Sequence, residues 1–162
     1  VVGSAFDDSL RAASVSFASA FGGSGNDVIL GNNAATYDRL RGDDGFDQLI
    51  GSGGEEDFWL QYDRGMDSLT NYRNLGQDHI VIVREEFGLA TASGGFLSAS
   101  EFATRPTGGV PFFNTGERLI FDTITRILWA DKDDVGTAFA AIPIAVFDVS
   151  SAAPTPSEIF VF

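Results

Sequence analysis

Between residues 27 and 80 an acid is followed two positions later by a large apolar residue six times: Asp27/Ile29, Asp38/Leu40, Asp47/Leu49, Glu56/Phe58, Asp67/Leu69 and Asp78/Ile80. Two positions before the acid stands Gly25, Gly45, Gly54, Gly65 or Gly76 in five cases, and Thr36 in the sixth. The acid-to-acid steps of 11, 9, 9, 11 and 11 residues are all odd, as a Gly-rich turn plus a short strand requires. No single helix produces this pattern, which is a structural repeat. After Asp78 the pattern stops. His79–Val83 reads as a strand, residues 87–96 as a loop, and Ser98 to Glu101 has capping-box spacing that predicts one helical turn. Residues 118–129 predict a hairpin around Asp122–Thr125, and Ala140–Val146 a strand placed at an edge or bulge because Pro143 lacks an amide donor.

Composition narrows the chemistry. Fifteen Phe and a hydrophobic fraction of 44% in 162 residues supply a real core. The formal charge is −13, from 23 acids against 10 bases, which excludes a nucleic-acid partner because phosphate neutralisation needs clustered Lys and Arg. Residues 22–67 carry ten acids and three bases, a density that repels itself unless cations neutralise it. With no cysteine there is no disulfide or thiolate site, and oxygen ligands make a hard cation the default partner. No run of 18 apolar residues exists, so no membrane span is expected. Val1–Leu10 lacks the parts of a Sec signal, and Asp8-Ser9-Leu10 reads as a worn repeat, so the chain is expected to belong to something longer. Asp43, Asp44, Glu55, Asp57 and Asp63 read as a solvated acidic face.

Catalytic signatures are missing. The one histidine, His79, sits in an apolar strand without a H-E-x-x-H partner, and there is no G-x-S-x-G elbow, Cys nucleophile or phosphate loop. The expectation is a protein that is not an enzyme. Phe58, Trp59, Phe112, Phe113, Phe121 and Trp129 offer either core packing or a sugar-stacking face.

Residues 22–30, Gly-Gly-Ser-Gly-Asn-Asp-Val-Ile-Leu, fit G-G-x-G-x-D-x-U-x throughout, and residues 42–50 depart from it at the second position. This nonapeptide resembles the calcium-binding repeat of the RTX family of type I secreted toxins, proteases and lipases. The resemblance implies an all-β fold: a parallel β-roll over residues 1–77, then a mostly antiparallel C-terminal capping domain over 78–162. It also implies calcium ligands at Asp27, Asp38, Asp47, Glu56, Asp67 and Asp78, with Gly22, Gly25, Gly42 and Gly45 shaping the turns so that carbonyl oxygens share a concavity with the acids. In the family each ion is shared by successive turns on one side. Carried over, Asp27 pairs with Asp47 and Asp38 with Glu56, while Asp67 and Asp78 close the last sites, for two to four ions. Residues 31–41 depart from the repeat by an inserted pair and a missing second glycine, and Glu56 brings a longer arm.

The second half resembles the same family at Arg118–Asp122, at Asp131-Lys132-Asp133-Asp134-Val135-Gly136 and at Ala138–Val146, with Asp134 where a glycine is usual and Thr125-Arg126 in place of Thr-Gly. Asp131 and Asp133 form a secondary candidate for calcium. Ser157–Phe162, one acid before four large apolar residues, resembles the tail read by the type I secretion machinery and also fits a final strand. The function expected is that of a non-catalytic calcium module, extracellular or on the cell surface, that folds after export and caps or stabilises a larger exoprotein. Two alternatives stand: a self-associating surface, matrix, filament or adhesion subunit, and the tail of an exoenzyme. Self-association and cell-surface polysaccharide stay open as partners.

Overall fold

A computed structural model describes residues 1–13, 17–33, 37–73, 77–133 and 139–162. The repeats wind as a β-solenoid. Strands β1 (Ser9–Arg11), β3 (Val28–Leu30), β5 (Gln48–Ile50) and β7 (Asp67–Thr70) stack in parallel on one side, and β2 (Ala18–Ser24), β4 (Tyr37–Asp44), β6 (Glu55–Trp59) and β8 (His79–Ile82) stack in parallel on the other. Each coil therefore spends one acid–apolar pair on each wall. Register places Leu10, Ile29, Leu49 and Leu69 in one interior column and Ala20, Leu40, Phe58 and Ile80 in the facing one. From Ile29 and Leu40 onward these residues are fully buried, so their removal from water drives the coils together.

Both walls continue beyond residue 78. The chain passes through α1 (Arg84–Phe87), β9 (Gly95–Phe96), β10 (Phe102–Arg105), β11 (Leu119–Asp122), β12 (Ile127–Ala130), β13 (Ile142–Phe147) and β14 (Ile159–Val161). Strand β13 pairs in parallel with β7 and β14 in parallel with β8, giving sheets of eight and six strands. One hydrophobic core runs from Ala12 through Phe58 and Phe87 to Val161. Among the described residues antiparallel pairing is confined to β11/β12, β12/β13 and β14/β9, while β10 and β11 are parallel. The final strand Ile159–Val161 is part of this packed wall.

Two local expectations change, and the bulge expected at Pro143 is present. Ser98 to Glu101 forms a turn rather than a helix, because the Glu101 carboxylate accepts the Ala90 amide at 2.6 Å and the Thr91 amide at 3.1 Å, tying down a distant loop. A helical turn stands instead at Arg84–Phe87, closed by Gly88 at φ 62°. Pro143 lies in an interior strand, where the register shift between Leu128 and Trp129 relieves its missing donor. The 118–129 hairpin forms as predicted, with Arg126 in the left-handed region at φ 59°.

Of the six aromatics, Phe58 and Phe121 are buried in the main core, Phe113 and Trp129 are buried with Ile120 in a smaller second cluster, Phe112 is exposed, and Trp59 lies on the outer side of the second wall. Asp57 is also not on a solvated face. It is buried under Tyr37, whose hydroxyl donates to it.

Candidate metal centre

Stacking coils at the usual parallel-strand spacing of about 4.8 Å brings equivalent acids into columns. The first column contains Asp8, Asp27, Asp47 and Asp67, with Asp27, Asp47 and Asp67 all buried. Its members are linked by the backbone. The Asp8 amide donates to Asp27 Oδ1 at 2.7 Å, the Asp27 amide to Asp47 Oδ1 at 2.8 Å, and the Asp47 amide to Asp67 Oδ1 at 3.3 Å. Each carboxylate thus spends one oxygen on the coil before it. The second oxygens, Asp27 Oδ2 and Asp47 Oδ2, are buried without a hydrogen-bond partner.

Those orphaned oxygens lie against glycines. A Cβ at Gly22 would stand 2.1 Å from Asp27 Oδ2 and 2.4 Å from the Gly42 carbonyl oxygen, and one at Gly42 would stand 2.0 Å from Asp47 Oδ2. At Gly3 the same construction meets the Gly22 carbonyl at 2.1 Å and Asp8 Oδ2 at 2.9 Å. Carboxylate and carbonyl oxygens therefore converge at successive levels, and a side chain at these positions would fill the space. Gly25, Gly45 and Gly65 have a different task. Their φ values of 119°, 152° and 132° belong to glycine, and a Cβ at Gly45 or Gly65 would meet the preceding turn's carbonyl at 1.8 or 1.6 Å. Where the second nonapeptide departs from the pattern, Asp43 holds φ 71°, keeping the left-handed turn that Gly23 makes at 111°.

Electrostatics follow the geometry. Burial raises the Asp47 carboxyl above the usual range, and the Asp27 charge adds to the rise. Burial, then the charge of Asp47, lifts Asp67 well above it. A column that takes up protons so readily lacks counter-charge.

The second column differs. Asp38 accepts the Asn32 amide at 2.6 Å through Oδ2, while Oδ1 is buried without a partner, and burial raises its carboxyl. Further along, a cationic side chain lies among the acids: Arg73 Nη2 is 3.3 Å from Glu56 Oε2 and 3.3 Å from Asp78 Oδ1, and also donates to the Gly54 carbonyl. The Glu56 amide donates to Asp78 Oδ1 at 3.1 Å, and the Arg73 amide to Asp78 Oδ2 at 2.6 Å. Burial pushes Glu56 up to about 7; the Ser52 hydroxyl's bond pulls it down and the Asp78 charge adds to the rise.

The six sequence-predicted acids thus fall into two columns, Asp27/Asp47/Asp67 and Asp38/Glu56/Asp78, and all are at most 7% exposed. Thr36, Gly76 and Asp134 lie outside the described residues. Asp131 and Asp133 sit together in the turn after β12, where the Asp133 amide donates to Asp131 Oδ1 at 3.1 Å and burial raises the Asp131 carboxyl. Two further residues take part that were not named as ligands. Asp8, in the segment read as a worn repeat, extends the first column but has its carboxylate occupied by the Ser4 amide at 2.6 Å and hydroxyl at 2.8 Å. Arg73 carries no local signal, because only coil register brings it to Glu56.

Among the described residues, no place gathers three or more His, Cys, Asp or Glu side chains around one point. A cation in the first column would accordingly be held by one or two carboxylates and completed by backbone carbonyls, the oxygen-rich donor set that suits calcium. The residues fit that ion: the donors are hard, their outer oxygens are orphaned, and the glycines leave room. No family model, curated protein or solved structure matches the chain.

Proposed function

We propose that this chain is a non-catalytic, calcium-binding β-roll module of the RTX kind, exported by a type I system and folded outside the cell, where it stabilises a larger exoprotein. The observation that carries the reading is the pair of buried, unpartnered oxygens Asp27 Oδ2 and Asp47 Oδ2 beside Gly22 and Gly42. Leaving such oxygens dry costs about 1–3 kcal/mol or more apiece, a cost that a bound cation removes. Asp27, Asp47, Asp67 and the Gly42 carbonyl would hold ions on the first wall, with Asp38 on the second. Asp131 and Asp133 stand apart as a separate candidate.

Extracellular calcium modules bind at roughly 10⁻⁴–10⁻³ M, so such sites would be empty in a cytosol and filled outside. At about a hundredfold excess over Kd, each adds about 2.7 kcal/mol, and two rival the roughly 5–15 kcal/mol of a whole domain. Folding would follow export. Calorimetric titration with calcium, paired with far-ultraviolet circular dichroism in calcium and in chelator, tests this. Saturable binding with a gain in strand signal is expected; unchanged spectra and no heat would exclude it.

The self-association reading draws on one observation. Among the described residues strand β1 ends the eight-stranded sheet and pairs with β3 alone, a strand edge able to accept a further coil or a second copy. Light scattering with and without calcium separates the two readings.

A further inference from the structure

The outer face of the second wall carries a cavity of about 310 Å³ lined by Tyr37, Arg39, Asp57, Trp59, His79 and the aromatic residues of β9 and β14. That volume sits at the low end of small-molecule sites, roughly 300–1,000 Å³. Its lining departs from the rest of the surface. In a chain of −13 net charge, Arg41, Arg64, Arg73 and Arg105 all pair with acids at 2.8, 2.7, 3.3 Å and closer. Arg39 makes no ion pair or hydrogen bond among the described residues. Its guanidinium lies over Trp59, 4.7 Å from the ring centroid, and 5.8 Å from that of Phe17. Only its Nε is both shut from solvent and unpartnered, so the two terminal amino groups face outward.

The acid nearest to it in the cavity takes its hydrogen bond elsewhere. Asp57 accepts the Tyr37 hydroxyl and has His79 Nδ1 at 3.7 Å; it feels the Arg39 charge but makes no hydrogen bond or ion pair with it among the described residues. The opposite wall is apolar: Phe162 packs on Trp59 with centroids 5.1 Å apart, and Phe96 contacts both Phe160 and His79 at 5.7 Å. A planar donor fork is thus held in place by aromatic stacking at the mouth of an apolar cavity. Holding the guanidinium by stacking rather than by a carboxylate leaves its two-pronged donor set for an anion.

We propose that this cavity binds a small organic carboxylate, its anionic head on the Arg39 guanidinium and its ring against Trp59, Phe96 and Phe162. Two sources share that chemistry, an acidic sugar and an aromatic acid. Isothermal titration of the intact protein at fixed free calcium, using galacturonate, benzoate and their neutral methyl esters, tests it. Trp59 fluorescence in a Trp129→Phe background gives a second readout located at the cavity. A saturable response to either acid, weakened at least tenfold in its neutral ester and in Arg39→Gln, is expected. Galacturonate alone would identify the sugar and benzoate alone the aromatic acid. Silence with both acids, equal binding of the esters, or unchanged binding by a folded Arg39→Gln protein would overturn the assignment.

Discussion

Replacing Asp47 with Asn separates a structural role from an ion-binding one, because the two roles predict opposite signs. Asparagine keeps an acceptor at Oδ1 for the Asp27 amide, now 2.8 Å away, and removes the negative charge. In chelator the wild-type column pays for a buried, unpartnered Oδ2 and for repulsion from Asp27 and Asp43, which is why burial first and these neighbours second raise this carboxyl. Relieving one such group is worth about 1–3 kcal/mol. At roughly 2–4 °C per kcal/mol for a domain of this size, the Asn variant should melt about 2–12 °C higher than wild type without calcium. With calcium that advantage shrinks or reverses. One lost site at about a hundredfold excess over Kd forfeits about 2.7 kcal/mol, so the calcium-induced rise in Tm should shrink by roughly 5–11 °C. Differential scanning calorimetry in both buffers reads the two effects. If Asp47→Asn loses the same stability in calcium and in chelator, Asp47 is only a link in the amide ladder and the ion assignment is wrong.

The other predictions follow from the same columns. Gly42→Ala should remove the part of the calcium response that depends on Asp47 while leaving a foldable chain, since its Cβ would press on Asp47 Oδ2 at 2.0 Å; calcium titration followed by circular dichroism reads this as lower stoichiometry. Gly45→Ala should prevent folding even in calcium, because φ is 152° and the Gly25 carbonyl stands 1.8 Å from the added atom; a folded, cooperative Gly45→Ala protein would contradict that. For metal-free protein, Glu56 has a folded-state pKa near 7 against an ordinary 4.5, so the folded form binds its proton more tightly. Its contribution is therefore complete below about pH 4.5 and is lost as pH rises through 7, amounting to about 3 kcal/mol. Urea midpoints in metal-free buffer should fall between pH 5 and 8, while calcium affinity at the first column, where protons compete, should rise.

The sequence pattern carried the wall-building residues because a period of two along each strand and a fixed turn chemistry are both local. Ile29, Leu49 and Leu69 could be placed inside the roll from their distance to an acid alone, and their complete burial follows. The division of the acids was less accessible. Asp27 to Asp47 to Asp67 advances 20 residues per coil, whereas Asp38 to Glu56 to Asp78 advances 18 and then 22, and only strand register makes both into columns. Long-range pairing was invisible for the same reason. Nothing near Ala145 or Ile159 announces that it will lie beside Asp67 or Ile80. The Ser98–Glu101 motif misled because a capping box is a spacing, and Glu101 spends its carboxylate on the backbone of Ala90 and Thr91 instead.

Arg73 gives the last and sharpest test of how the second wall is neutralised. It reaches Glu56, Asp78 and two glycine carbonyls, all oxygen donors of the sort that would surround a divalent ion, and so works as a permanent internal cation. Removing one partner of a buried ion pair costs about 3–5 kcal/mol. Arg73 is a third exposed, so about 2–3 kcal/mol is the reasonable expectation for Arg73→Met in chelator. Calcium then decides between two pictures. If the oxygens around Glu56 and Asp78 form an ion-binding cage that arginine occupies, the variant should bind one more calcium than wild type and recover most of its lost stability. If they are merely an ion-pair network shaped for a guanidinium, stoichiometry should stay the same and the deficit should persist at every calcium concentration. The first outcome would mean that this wall exchanged a conditional cation for a permanent one, leaving calcium control to Asp27, Asp47 and Asp67 on the other.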